Sequence, residues 1–134
     1  MHFPAPCPEI PVAALAAGLA YYRDRLGFTI DWADESIGLA GLSRGDARLF
    51  MTSADYRTWL GNKGPIVLWL NLGNRAEVDA LHAEWAGTGT TLLGPPAAKP
   101  YFLYEFFARD PDGNLLRVFY DFGWEERVAE TGED

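Results

Sequence analysis

Apolar residues recur along this chain with two different periods, and the switches between them mark its elements. In AALAAGLAYYRDRLGF, the residues Leu15, Leu19, Tyr22 and Leu26 fall on one stripe at helical spacing, and Gly27 follows where helices commonly stop. Ahead of it, residues 7–12 form a short proline-bounded strand. FTIDW, residues 28–32, alternates as a strand, and SIGLAGLSRG with DARLFMTS reads as a hairpin turning at Arg44, Gly45 and Asp46. The same order then returns. IVLWLNL, residues 66–72, is an apolar strand, and RAEVDALHAEWAG is a helix with Val78, Leu81 and Trp85 on one stripe, ended by Gly87. Residues 90–93 form a short strand, and residues 104–109 and 115–120 a hairpin around DPDGN.

The two hairpins superpose at one constant offset, which sets Gly45 on Gly113, Leu49 on Arg117 and Met51 on Phe119. Val12 and Leu72 match at a different offset, so the loops between equivalent elements differ in length. The pattern predicts an α+β fold: tandem βαβββ units at about residues 7–53 and 65–122, forming a curved, cup-like mixed sheet with flanking helices. The segment between them, SADYRTWLGNKGP, is polar and reads as a linker, with Trp59 inside it as a packing or dimer-contact residue. Neither unit carries enough core alone, so each must pack on its sibling or on a second copy's unit. After Trp124 the acidic tail EERVAETGED predicts a short frayed helix.

One position breaks the pattern. Strand alternation puts Leu115, Arg117 and Phe119 on one face, and a guanidinium between a leucine and a phenylalanine is costly there unless paired. Arg117 therefore answers either a ligand's carboxylate or amide, or an internal acid such as Glu105.

Composition narrows the partners. Five Trp, six Tyr and eight Phe in 134 residues exceed what a core of this size usually needs; core packing is the default for any one of them, and the surplus leaves room for ligand stacking by some. A net charge of −8 disfavours nucleic acid and anionic membrane; it either keeps an acidic surface in solution or steers cationic guests inward. The single cysteine, Cys7, allows no internal disulfide, fits a reducing compartment, and has no adjacent base to make it a nucleophile. No export signal or membrane span is read near Met1, so a cytoplasmic location is expected.

With YYRDRLGF closing the first helix and DPDGNLL at the matching place in the second half, the chain resembles the vicinal oxygen chelate superfamily over residues 8–122. Glyoxalase I, extradiol dioxygenases and bleomycin-resistance proteins belong to that superfamily. In its metal-dependent members, His, Glu or Gln from four strands hold a divalent ion. Those places fall here on Cys7, Phe50, Val67 or Leu68, and Arg117, none of them an oxygen or imidazole donor. His82, beside charged helix residues, reads as solvated, and His2 as terminal. RDPDG before an apolar strand, a helix ending near AEW, and Leu115, Leu116 and Arg117 after DPDG resemble most closely the metal-free bleomycin-resistance branch. That resemblance implies no metal, no cofactor and no catalytic residue, and a homodimer with exchanged arms or strands and aromatic grooves.

The expected function is metal-independent capture of an aromatic or cationic small molecule in a dimer groove, of the antibiotic-resistance type. The alternative is a metal-dependent lyase, isomerase or dioxygenase. Candidate ligand contacts are Trp32, Phe50, Trp69, Phe102, Tyr104 and Arg117. Phe50 would floor the cup, and Phe102 and Tyr104 would gate it. Trp32, beside Asp31, Asp34 and Glu35, suits a cationic guest or an exposed turn. Trp69 faces the cup or the helices according to register.

Overall fold

The computed structural model describes residues 1–58 and 63–125. The linker tryptophan at 59 and the tail beyond Glu125 lie outside the described residues. The first unit runs β1 (Glu9–Pro11), α1 (Leu15–Asp24), β2 (Thr29–Asp34), β3 (Leu39–Arg44) and β4 (Ala47–Thr52). A four-residue helix, α2 (Ala54–Arg57), then stands where the sequence reads only as linker, capped by Ser53. The second unit runs β5 (Val67–Asn71), α3 (Arg75–Gly87), β6 (Thr91–Leu92), β7 (Ala97–Ala98), β8 (Leu103–Arg109) and β9 (Leu115–Asp121). The two-residue β7 is too short to leave a periodic signal. The glycine with positive φ after α3 is Gly89, at +80°, two residues beyond the Gly87 that the pattern nominates.

The fold is α+β with open mixed sheets, and within one chain the strands form two of them. One has the order β1-β4-β3-β2, the other β5-β9-β8-β6 with β7 also paired to β8. In each, the first strand of the unit lies parallel to the last: β1 on β4, β5 on β9. The remaining pairings are antiparallel.

One face of each sheet carries a helix, and both helix-bearing faces share one core. Ile10, Leu42, Leu49 and Met51 of the first unit belong to the same buried cluster as Phe106, Leu116, Val118 and Trp85 of the second. The ends of the two helices meet there. Trp85 donates its indole N–H to the Leu26 carbonyl at 3.2 Å, and Arg44 bonds both that carbonyl and Glu84 of α3. The opposite face of each sheet is consequently turned away from the shared core.

The DPDGN turn fastens the units together. Asp110 accepts from the Asp112 and Asn114 amides, which is what closes the turn, and its second oxygen takes the Tyr22 hydroxyl of α1 at 2.8 Å. Asn114, fully buried, donates to the Pro11 carbonyl of β1 and accepts from the Ile66 amide. Helix α1 has no side-chain cap, and the amide of Ala13 just ahead of it donates instead to Asp112 of this turn. Among the described residues no helix is long and apolar enough to cross a membrane.

Candidate functional site

On the outward face of the second sheet, Trp69, Arg117 and Phe107 stand in one row across β5, β9 and β8, paired directly in register. Alternation fixes that face. Leu68, Leu116, Val118 and Phe106 point into the core, so their neighbours point away. The guanidinium carbon of Arg117 lies 3.7 Å from the Trp69 ring centre and 4.8 Å from that of Phe107. Trp69 also meets the edge of Phe119 at 5.5 Å.

Glu105 is the acid that answers Arg117. Its side chain is fully buried, and both carboxylate oxygens sit 2.9 Å from Nη2 of Arg117, whose own side chain is 20% exposed. Tyr101 donates to the same carboxylate and accepts from Nη2 at 3.3 Å. The bond to Glu105, more than any burial, raises the Tyr101 hydroxyl's pKa above its ordinary value. The pairing is one-sided. All of it goes through Nη2, while Nε is buried with no hydrogen-bond partner among the described residues.

The outward face of the first sheet carries a smaller aromatic group. Trp32 of β2 lies over Gly41 of β3, close enough that a Cβ there would come within 2.5 Å of the indole nitrogen. Its ring is 6.1 Å from Phe50, which pairs in register with Gly41 and with Glu9 of β1.

Of the six residues nominated by sequence, the structure thus brings together Trp69 with Arg117 and, separately, Trp32 with Phe50. The other two lie elsewhere. Tyr104 points to the helix-bearing face and donates to Asp79 of α3 at 2.6 Å, because strand alternation gives the outward places on β8 to its neighbours Leu103 and Glu105. Phe102, in the left-handed region at φ 65°, stacks edge-on against the core residue Phe122. Phe107 and Tyr101 went unnominated. Extending the alternation by two residues from Glu105 identifies Phe107, whereas Tyr101 sits in a turn that periodicity does not reach. His82 is not simply solvated: its ring meets Phe106 at 5.0 Å and Nε2 lies 3.1 Å from the Gly94 carbonyl.

The family's metal places do not fit a divalent ion here. Register resolves the choice at the second unit's opening, since Val67 faces outward and Leu68 is core. Phe50 and Val67 have no donor atom, and Arg117 brings a fixed cation already bound to Glu105. A separate cavity of about 740 Å³ opens between the Arg44–Ala47 turn, α3 and the end of β5, with Trp69 at its border.

None of the curated proteins matches the chain significantly. Solved structures do. A bleomycin-binding protein from bleomycin-producing Streptomyces verticillus, complexed with copper(II)-bleomycin, is 28% identical with a TM-score of 0.68, covering 88% of this chain and 96% of that one. A lactoylglutathione lyase from Agrobacterium tumefaciens is 21% identical with a TM-score of 0.70, covering 90% and 97%. A glyoxalase/bleomycin resistance protein/dioxygenase from Nocardioides, at 18% identity and a TM-score of 0.73, covers 90% of this chain and 85% of its own. The last two show the fold alone. With residues 6–118 matching the family profile, the chain belongs to the Glyoxalase/Bleomycin resistance protein/Dioxygenase superfamily.

Proposed function

We propose that this protein is a metal-independent binding protein of the bleomycin-resistance type, holding an aromatic or cationic small molecule between two copies of the chain. One observation carries the reading: the place of a metal-binding glutamate is taken by Arg117, and Glu105 and two rings fix that arginine into a stacking wall. Such a wall offers planar surfaces for van der Waals and cation–π contact, and no vacant donor set for chemistry.

The layout of the two faces supports a second copy. The Trp32–Phe50 face and the Trp69–Arg117–Phe107 face belong to sheets whose other faces share one core, so each is half of a groove. No hydrogen bond, ion pair or ring contact joins the two groups among the described residues. Trp32 on the first face, and Val67 and Trp69 on the second, are left 42–51% exposed, apolar surface that a second copy would cover. Setting the first face of one copy opposite the second face of another covers both and creates two grooves per dimer. The acidic charge of −8 attracts cationic guests to them. Capture of a toxic compound in this way would serve antibiotic resistance in the cytoplasm.

The 28% identical bleomycin-binding protein makes bleomycin the first ligand to test. Titration of the intrinsic tryptophan fluorescence with metal-free and copper(II)-loaded bleomycin is expected to show saturable quenching at one drug per groove. Absence of any change at millimolar drug would reject bleomycin. A stoichiometric, tightly held transition metal in protein purified without chelators would instead support a lyase, isomerase or dioxygenase.

A further inference from the structure

Arg117 is held in a way that leaves one part of it unused. Trp69 and Phe107 lie against its guanidinium, at 3.7 and 4.8 Å, and Glu105 occupies Nη2 with both oxygens. A carboxylate normally grips a guanidinium through two nitrogens in a fork. Here it grips one, which leaves Nε buried without an acceptor and Nη1 without a partner among the described residues. Nη1 is not sealed from solvent as Nε is, and it belongs to the same outward face as Trp69.

Taking the binding role above as given, we infer that Nη1 of Arg117 orients the guest. It does so by donating to an uncharged acceptor, a carboxamide oxygen or heteroaromatic nitrogen, on a planar ring laid against Trp69. The charge of the acceptor follows from Glu105. Arg117 and Glu105 together are neutral, so a carboxylate guest gains a single donor and meets the Glu105 carboxylate and a net charge of −8. An ammonium group at this edge would face the guanidinium, while the Glu105 carboxylate is fully buried and already held by Tyr101 and Arg117. A neutral acceptor meets neither penalty and satisfies a donor that is otherwise idle.

Three probes with the same ring separate the possibilities: 2-naphthamide, 2-naphthoate and 2-naphthylmethylammonium, each titrated against the full chain by calorimetry or ligand-observed NMR. The amide is expected to bind about tenfold more tightly than either charged probe, the difference that one hydrogen bond to a charged donor supplies. Glu105→Gln, which uncovers the arginine's charge, is expected to shift the preference to naphthoate. Arg117→Met should erase the preference. If that variant folds poorly because Glu105 is left unpaired, the double variant Glu105→Gln with Arg117→Met serves instead. Equal binding of all three probes by the unmodified protein, or preference for either charged probe, overturns the orienting role and leaves the aromatic groove standing. Failure of every probe to bind at millimolar concentration removes both.

Discussion

The guanidinium carbon of Arg117 stands 3.7 Å from the centre of the Trp69 ring, and its Nη2 holds both oxygens of the fully buried Glu105. This is an ion pair with one partner out of solvent, and its members are unequal. Removing the arginine strands a buried carboxylate; removing the glutamate strands a cation that is partly exposed and already rests on two rings. Breaking either should cost stability, and replacing both should cost little. Glu105→Ala is expected to lower unfolding free energy by about 3 kcal/mol, and the paired change to leucine at 105 and 117 by no more than about 1 kcal/mol. Urea unfolding of the single and double variants measures this. Equal losses for the two would mean that packing, not charge pairing, sets the energetics there.

Alkaline stability depends on the seam between the units. Burial, and then the Asp110 carboxylate at 2.8 Å, push the Tyr22 hydroxyl's pKa far above its ordinary value of 10.0. In the unfolded chain Tyr22 ionises near its ordinary value; in the folded protein it keeps its proton. Below about pH 10 both states hold the proton and the native state is unaffected. Above that the unfolded chain loses it alone, so stability falls with rising pH by up to about 1.4 kcal/mol per pH unit from this group. Tyr101, Tyr104 and Tyr120 are raised in the same direction. Tyr22→Phe should therefore flatten the decline between pH 10 and 11 without abolishing it. Urea midpoints across that range, for both proteins, check the slope.

Gly41 is the floor on which Trp32 lies. A methyl group there would come 2.5 Å from the indole nitrogen and 2.9 Å from its ring carbon. Trp32 is 42% exposed, so it can swing outward at modest cost, and Gly41→Ala is expected to lose no more than about 1 kcal/mol. The consequence for binding should be larger, because the Trp32–Phe50 pair would no longer present its present surface. Near-ultraviolet circular dichroism would register the moved indole, and ligand affinity should fall several-fold while the unfolding midpoint changes little.

How far the sequence discloses this molecule depends on the kind of signal each part leaves. The stripes Leu15, Leu19, Tyr22, Leu26 and Val78, Trp85 are buried because helical spacing and core burial have one cause. The hairpin turns are legible for the same reason: Gly45 and Gly113 have positive φ, which only their local chemistry decides. The sequence leaves the Arg117–Glu105 pair as one of two possibilities, since a lone charge on an apolar strand announces that it needs a partner without naming it. Tyr104 and Phe102 mark where periodicity ceases to decide a side chain's place. The face of Tyr104 depends on which residue starts the strand, since a shift of one residue moves a side chain to the other face, and Phe102 is placed by a turn residue with positive φ. Tyr101 reaches Glu105, four residues on, from a turn that leaves no periodic trace.

The groove between copies can be tested by complementation. A chain carrying Trp32→Ala and Phe50→Ala has lost its first-sheet face, and a chain carrying Trp69→Ala and Arg117→Met its second. If each groove draws one face from each copy, a dimer of either variant has no intact groove. A mixed dimer has one, formed by the intact first face of the second variant and the intact second face of the first. Refolding the two together should therefore restore roughly a quarter of the wild-type binding sites, because random pairing makes about half the dimers mixed and each has one sound groove of two. Were the site built within a single chain, mixing would restore nothing, since every chain carries a damaged face. Sedimentation of the separate and mixed samples must show dimers of equal stability for the comparison to hold. Under that condition, recovery on mixing places the ligand between copies, and its absence places it within one.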